Sequence, residues 1–411
     1  MGIFNYMNCY FVNFVKIGSK MDLKLKIFPA LNGDSFLIVS EGGNFLIDGG
    51  YVNTYYNFLK PILIDLGKEG KELSLVLVTH IDKDHISGII KFIEENKNSK
   101  IITIKNVWHN AFRHIQKDVD IDPCVKETLK FPSIAKSEHS ELVNNISAIQ
   151  GSSLASLLLQ YSYSWNSQFD GQAVSVEEKN NIQLSENSRI ILLSPNSKKL
   201  DNLCRLWRKE LYKKGLLEST HTIEFWDDAF EFLLSEEKEV LKSQPKNISY
   251  SNDIDFLKLK EAHYVADTSV TNGSSISFIL EINKKKMLFL ADSHSELIET
   301  ELKKHFKDDE FPIYFDLVKL SHHGSYSNNS PQLFNMIESH KWVFSTNRKV
   351  YNHPDLETIA QIICKKNKME RTLIFNYYHE ISEMLANMGW QKKYNYNLIV
   401  AKEGEILEIE L

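Results

Sequence analysis

Four side chains able to bind a metal ion leave the end of one short apolar run. The run at residues 75–78 passes into Thr79-His80-Ile81-Asp82-Lys83-Asp84-His85, which sets two imidazoles and two carboxylates within six residues. Imidazole together with carboxylate suits zinc, manganese or iron, and clustered carboxylates repel one another unless a cation or base compensates. For a string this short the plain alternative is a solvated turn with Asp82, Lys83 and Asp84 facing water. Other runs weigh against that alternative. Lys286 to Asp292 is apolar and closes on an acid, and Phe315 to Ser325 closes on His322 and His323. Asn44 to Gly50 closes on Asp48, followed by two glycines that let the backbone turn tightly. Several strand ends offering ligands together predict a metal site.

As a set, FLIDGG at 45–50, THIDKDH at 79–85, NGSSISFILEI at 272–282, FLAD at 289–292, SHHGS at 321–325 and YNHP at 351–354 resemble the metallo-β-lactamase fold hydrolases. More narrowly, they resemble the hydrolase domain of ComEC-type competence proteins. The match spans about residues 24–110 and 265–365, roughly half the chain. The resemblance implies an α/β protein with a four-layer αβ/βα metallo-β-lactamase fold, interrupted here by a helical insertion. It implies two divalent ions, zinc or manganese. His80 and Asp82 serve one position, Asp84 and His85 the second, and Asp292 bridges them. His322 completes the second position, with His323 as the alternative or as a proton carrier. Asp48 accepts a hydrogen bond from a ligand histidine and fixes its tautomer. Asn272, Lys319 and Ser325 fall beside the ligands or the substrate.

Two departures stand out. Asp82 occupies a place where histidine is usual, which makes the site oxygen-rich and leans toward manganese or mixed zinc and manganese. The third-motif histidine has no plain counterpart; His109 is the candidate ligand, with His114 behind it, and a packed residue beside Trp108 is the other reading. For chemistry, Asp84 positions a hydroxide as well as binding metal. His323, His353 or Lys319 protonates a leaving group or holds an anion. His353 reads equally as a loop anchor before Pro354, and Lys319 as an outward strand residue.

Composition narrows the setting. The chain has 411 residues, a formal charge of −6, 43% apolar and 25% charged residues, ordinary for a globular protein and without a global basic field for nucleic acid. No run of some 18 apolar residues is present, so no membrane span is expected. Residues 1–20 read as an N-terminal extension or an upstream start before Met21, without signal-peptide features. Cys9, Cys124, Cys204 and Cys364 are scattered, which argues against disulfides and points to the cytoplasm.

The elements that must position these residues follow from periodicity. Residues 23–48 alternate like antiparallel strands; 55–66 and 88–95 read as helices, and 100–107 as a strand. Lys284-Lys285-Lys286 reads as a hairpin turn, 267–275 as a loop, and Lys365 to Lys368 as the C-cap of a helix. The hydrolase domain is assigned to 21–110 and 265–411. Residues 111–264 form a largely helical insertion with one returning strand at 188–195 and amphipathic helices at 200–217 and 223–241. That insertion is a lid, a surface for a protein partner, or a plain helical cap. The expected function is hydrolysis of a phosphodiester, in nucleic acid or a nucleotide-like compound. The alternatives are hydrolysis of a lactone, amide or thioester, or a non-catalytic metal-binding module of a multiprotein system.

Overall fold

The computed structural model describes residues 23–116, 153–213, 223–236, 254–367 and 369–411; the extension read at 1–20 and the far ends of both insertion helices fall outside them. Short segments rich in β-branched and aromatic residues build two large sheets and two small two-stranded ones. The first has six strands in the order Leu407–Glu410, Lys24–Ile27, Phe36–Val39, Phe45–Ile47, Leu75–Leu77, Val107–Trp108. In its second strand Leu25 and Ile27 point into the core while Lys24 and Lys26 reach out to Glu408 on the adjoining strand. The middle strands FLI and LVL are buried throughout, as expected where both faces are covered.

The second sheet has eight strands in the order Tyr396–Val400, Arg371–Phe375, Lys341–Phe344, Leu317–Lys319, Lys285–Phe289, Ser277–Ile282, Ser188–Ser194, Asn181–Ser185. Leu25, Phe36, Phe45 and Leu75 of the first sheet share one apolar core with Leu192, Phe278, Phe289 and Val343 of the second. Outside the first sheet lies the helix Lys83–Ser99, which buries Ile86, Ile89, Phe92 and Ile93, together with the helical stretch from Val52 to Lys68. Outside the second sheet Ile298, Leu302, Ile359 and Ile363 do the same. This is the four-layer αβ/βα arrangement of the metallo-β-lactamase fold, with one sheet facing the other and helices on both outer faces.

Several local readings change. The helix expected at 88–95 begins at Lys83, with Asp82 in the extended conformation before it. The strand expected at 100–107 is two pieces. Thr103–Ile104 pairs with Glu72–Leu73, and Val107–Trp108 pairs with Leu75–Leu77. The chain changes partner at Lys105 and Asn106. The strand at 188–195 is present as Ser188–Ser194, and a second strand, Asn181–Ser185, forms a hairpin with it; its sequence NIQLS is too polar to read as a strand. The loop at 267–275 contains a short helix, Val270–Gly273, capped by Ser269 Oγ. Lys365 does not cap its own helix; its Nζ donates to the carbonyls of Phe334 and Ile337 at 2.6 and 2.5 Å.

In the insertion, Ser197–Lys213 and Ile223–Glu236 bury Leu203, Trp207, Phe225 and Phe230 against Phe112, Ile115 and Ile81, the last from the loop between His80 and Asp82. Lys199 on the first of these helices ties it to His294 at 2.7 Å and Glu296 at 2.6 Å. Among the described residues no helix is long and apolar enough to cross a membrane.

Candidate metal centre

The ligand-type residues sit just beyond the carboxyl ends of neighbouring strands. His80 and Asp82 follow Leu75–Leu77, Asp84 and His85 occupy the first turn of Lys83–Ser99, Asp292 follows Lys285–Phe289, and the tight turn of His322 and His323 follows Leu317–Lys319. The crevice beyond strand carboxyl ends is the usual binding place in such sheets. Glycines bring the pieces together. A Cβ on Gly88 would lie 2.0 Å from the Gly49 carbonyl oxygen, and one on Gly33 would lie 1.9 Å from that of Asp84.

The geometry centres on one oxygen. Asp292 Oδ2 lies 3.7 Å from His80 Nε2, 4.0 Å from His85 Nε2, 3.8 Å from His322 Nε2 and 3.9 Å from His323 Nε2. Asp82 Oδ2 is 3.2 Å from His80 Nε2. Each histidine turns its Nδ1 outward to a different group. Thr79 Oγ1 donates to Asp48 Oδ2 at 2.7 Å, so toward His80 Nδ1, 3.0 Å away, it acts as the acceptor. His85 Nδ1 donates to Asp48 at 2.8 Å. The amide nitrogen of Asn328 donates to Asp267 at 2.9 Å and to the Asp292 carbonyl at 3.2 Å, which leaves its oxygen to accept from His322 Nδ1 at 3.0 Å. His323 Nδ1 faces Asp34 Oδ1 at 3.5 Å. The four Nε2 lone pairs are thereby aimed inward.

His80 Nε2, His85 Nε2 and Asp292 Oδ1 are buried and have no hydrogen-bond partner among the described residues. Buried polar atoms are rarely left so, and a divalent cation is the group that satisfies several nitrogen and oxygen lone pairs at once. Ligand atoms of His80, His85 and Asp292, and separately of Asp84, His85 and His323, lie within 4.8 Å of one another. The residues present fit a metal centre.

Electrostatics agree. Burial disfavours the His85 imidazolium, yet the carboxylates of Asp48, Asp84 and Asp292 outweigh it and push His85 up to about 10. Burial raises Asp84, with Asp82 and Asp292 adding repulsion against the attraction of His85 and His323. Burial works against the Asp292 carboxylate too, but the surrounding histidines hold it well below the usual range. Burial brings His322 down to about 4. Buried acids that raise His85 in this way are ones that a cation would hold instead.

The sequence also named residues that lie apart or serve otherwise. His109 Nε2 faces Glu231 of the insertion at 3.2 Å, its ring stacks on Trp165, and the groupings close enough to share an ion do not include it. His114 packs on the edge of Trp165 and accepts from Ala111 N. Those groupings contain His323 rather than His322, although both approach Asp292. His353 is partly buried, 5.0 Å ring to ring from His322, with Nδ1 3.4 Å from Asp355. Asn272 donates to Asp267 at 2.7 Å and lies 3.4 Å from His322 Nδ1. The backbone N–H of Ser325 closes the histidine turn on the His322 carbonyl. Lys319 is not outward but fully buried in an ion pair with Asp34.

Sequence reading missed Asn32, Asp34, Thr79, Asp267 and Asn328. Asn32 donates to Asp84 at 2.6 Å and is itself held by the Tyr51 hydroxyl at 3.1 Å. The only signal was polar residues at strand ends, which also reads as turn chemistry.

No curated protein matches the chain. Among solved structures it is similar to one named "Putative metal-dependent hydrolase" from Parabacteroides distasonis, at 9% identity, covering 92% of this chain and 93% of that one with a TM-score of 0.33. It is also similar to a mutant of the CmlA beta-hydroxylase, at 10% identity, covering 96% of this chain and 55% of that one with a TM-score of 0.37. Residues 29–107 match the family model of the Metallo-beta-lactamase superfamily, a stretch that contains His80, Asp82, Asp84 and His85. With its four layers and its ligand-type residues at the strand ends, the protein has the metallo-β-lactamase fold, and residues 29–107 are the stretch that matches the superfamily model.

Proposed function

We propose that the protein is a metal-dependent hydrolase acting on a phosphodiester, in nucleic acid or a nucleotide-like compound. The observation that carries this reading is the single Asp292 oxygen ringed by four imidazole nitrogens at 3.7–4.0 Å, with Asp82 and Asp84 making the set oxygen-rich. His80 and Asp82 would hold one zinc or manganese ion, Asp84 and His85 with a histidine of the SHHGS turn the second, and Asp292 both. Bound cations of this kind lower the pKa of a water and offset charge on the non-bridging oxygens of a phosphodiester.

The chain's own groups do the rest. Asp84, pinned through Asn32 to Tyr51, orients the attacking water and takes its proton. His353 stands beside His322 with its Nδ1 turned to Asp355, placed to give a proton to the leaving oxygen. The insertion packs over Ile81, between His80 and Asp82.

The test is hydrolysis of a chromogenic phosphodiester by metal-stripped protein refilled with manganese or with zinc. Turnover is expected only in the refilled protein, and Asp84→Ala should lower it at least about a hundredfold. Metal uptake without turnover would overturn the phosphodiester reading.

A further inference from the structure

Beneath the centre lies a buried ion pair that the reaction outlined above does not use. Asp34 and Lys319 are about 99% buried, and Lys319 Nζ contacts Asp34 Oδ2 while lying 3.3 Å from the Ala291 carbonyl. The pair joins the two sheets: Asp34 precedes the strand Phe36–Val39, and Lys319 ends Leu317–Lys319. The Asp34 backbone is fixed at both ends, its N–H donating to the Asp84 carbonyl at 3.2 Å and its carbonyl accepting from Gly50 at 2.9 Å. Its second oxygen is not taken up by the lysine. Asp34 Oδ1 and His323 Nδ1 are both buried, neither has a hydrogen-bond partner among the described residues, and they face each other at 3.5 Å. His323 sits in a left-handed turn, at φ 56 next to His322 at φ 44.

We infer that Asp34 is a positioning residue for His323, and that Lys319 holds the Asp34 carboxylate so that its second oxygen stays aimed at His323 Nδ1. The inference rests on the metal-centre reading. A carboxylate on Nδ1 keeps the proton there and presents Nε2 to the ion. Lys319, one residue beyond Val318 in its strand, holds the carboxylate from the opposite sheet, so the orientation of His323 depends on the two halves being docked. A purely structural ion pair would stabilise the fold without acting on His323 in particular.

The experiment is a double-mutant cycle read by the affinity of metal-stripped protein for zinc, measured in competition with a chromogenic chelator, alongside the thermal midpoint. Asp34→Asn is expected to weaken zinc binding by about 10- to 100-fold. In a His323→Ala background the same substitution should change affinity by less than about twofold, because the histidine through which Asp34 acts is gone. Lys319→Met should behave in the same way. Where a single replacement strands a buried charge and prevents folding, the pair Asp34→Asn with Lys319→Met removes both charges together, and its zinc affinity is compared with and without His323→Ala. An equal loss in both backgrounds, or no loss in either, overturns the inference. Because the readout is zinc affinity, a protein that proves inactive on phosphodiesters leaves this test intact.

Discussion

Asp48 illustrates how much a single carboxylate does beside a metal centre. It accepts three hydrogen bonds, from Thr79 N at 2.8 Å, Thr79 Oγ1 at 2.7 Å and His85 Nδ1 at 2.8 Å, and its own backbone is left-handed at φ 55. Asparagine tolerates that backbone but offers one acceptor oxygen in place of two. Asp48→Asn is therefore expected to keep the fold yet release either the Thr79 turn or the His85 ring, weakening metal binding about 10- to 100-fold, as measured by titrating metal-stripped protein. An unchanged affinity would mean that His85 is held in place without Asp48. At this scale the sequence showed the groups that face the centre, since His80, Asp82, Asp84, His85 and Asp292 end apolar runs. It did not show Asp34, Asp267 or Asn328, which are ordinary turn formers in the sequence and gain a role only from partners brought close by folding. His109 was ambiguous for the same reason, because its partner Glu231 lies on a helix 122 positions away.

Elements carry the residues, and here the decisive contact is helix against turn. Gly88 in Lys83–Ser99 meets Gly49 so closely that a methyl group on Gly88 would sit 2.0 Å from the Gly49 carbonyl oxygen, and backbone on both sides leaves nothing flexible to give way. The N–H of Gly88 also donates to the Gly50 carbonyl at 2.8 Å. Gly88→Ala should push away the first turn of that helix, which bears Asp84 and His85, and destabilise the protein by about 1–3 kcal/mol. Denaturant unfolding would measure the first effect and metal stoichiometry the second; a variant with full stability and two bound ions would contradict this account. The antiparallel start of the chain and the hairpin at Lys284 were legible because alternation and turn residues are local signals. The break at Lys105 and the polar strand Asn181–Ser185 were not, because each depends on which neighbour the strand finds.

On the scale of the whole molecule, the centre is assembled from both sheets and concentrates Asp34, Asp48, Asp82 and Asp292 in buried surroundings, with Asp84 beside them. Stripping the metal should lower the thermal midpoint, and refilling should restore it; a hundredfold excess of ion over its dissociation constant contributes about 2.7 kcal/mol. A midpoint unmoved by chelation would show that the buried acids are compensated by protons and Lys319 alone. The two-sheet architecture was implied by the family resemblance of the strand-end motifs, strand spacing itself giving only a layered α/β rhythm, while the docking of the insertion through Trp207 and Lys199 was not legible. One consequence concerns chain connectivity. His85 and Asp292 are 207 positions apart, so an ion held by both acts as a cross-link closing a very long loop. Closure entropy grows only logarithmically with loop length, by about 0.6 kcal/mol per doubling. The insertion within that loop can therefore lengthen or shorten with little effect on how readily the ion joins the two ends, whereas Val107–Trp108, Ser277–Ile282 and Lys285–Phe289, also inside it, are strands of the two sheets and cannot.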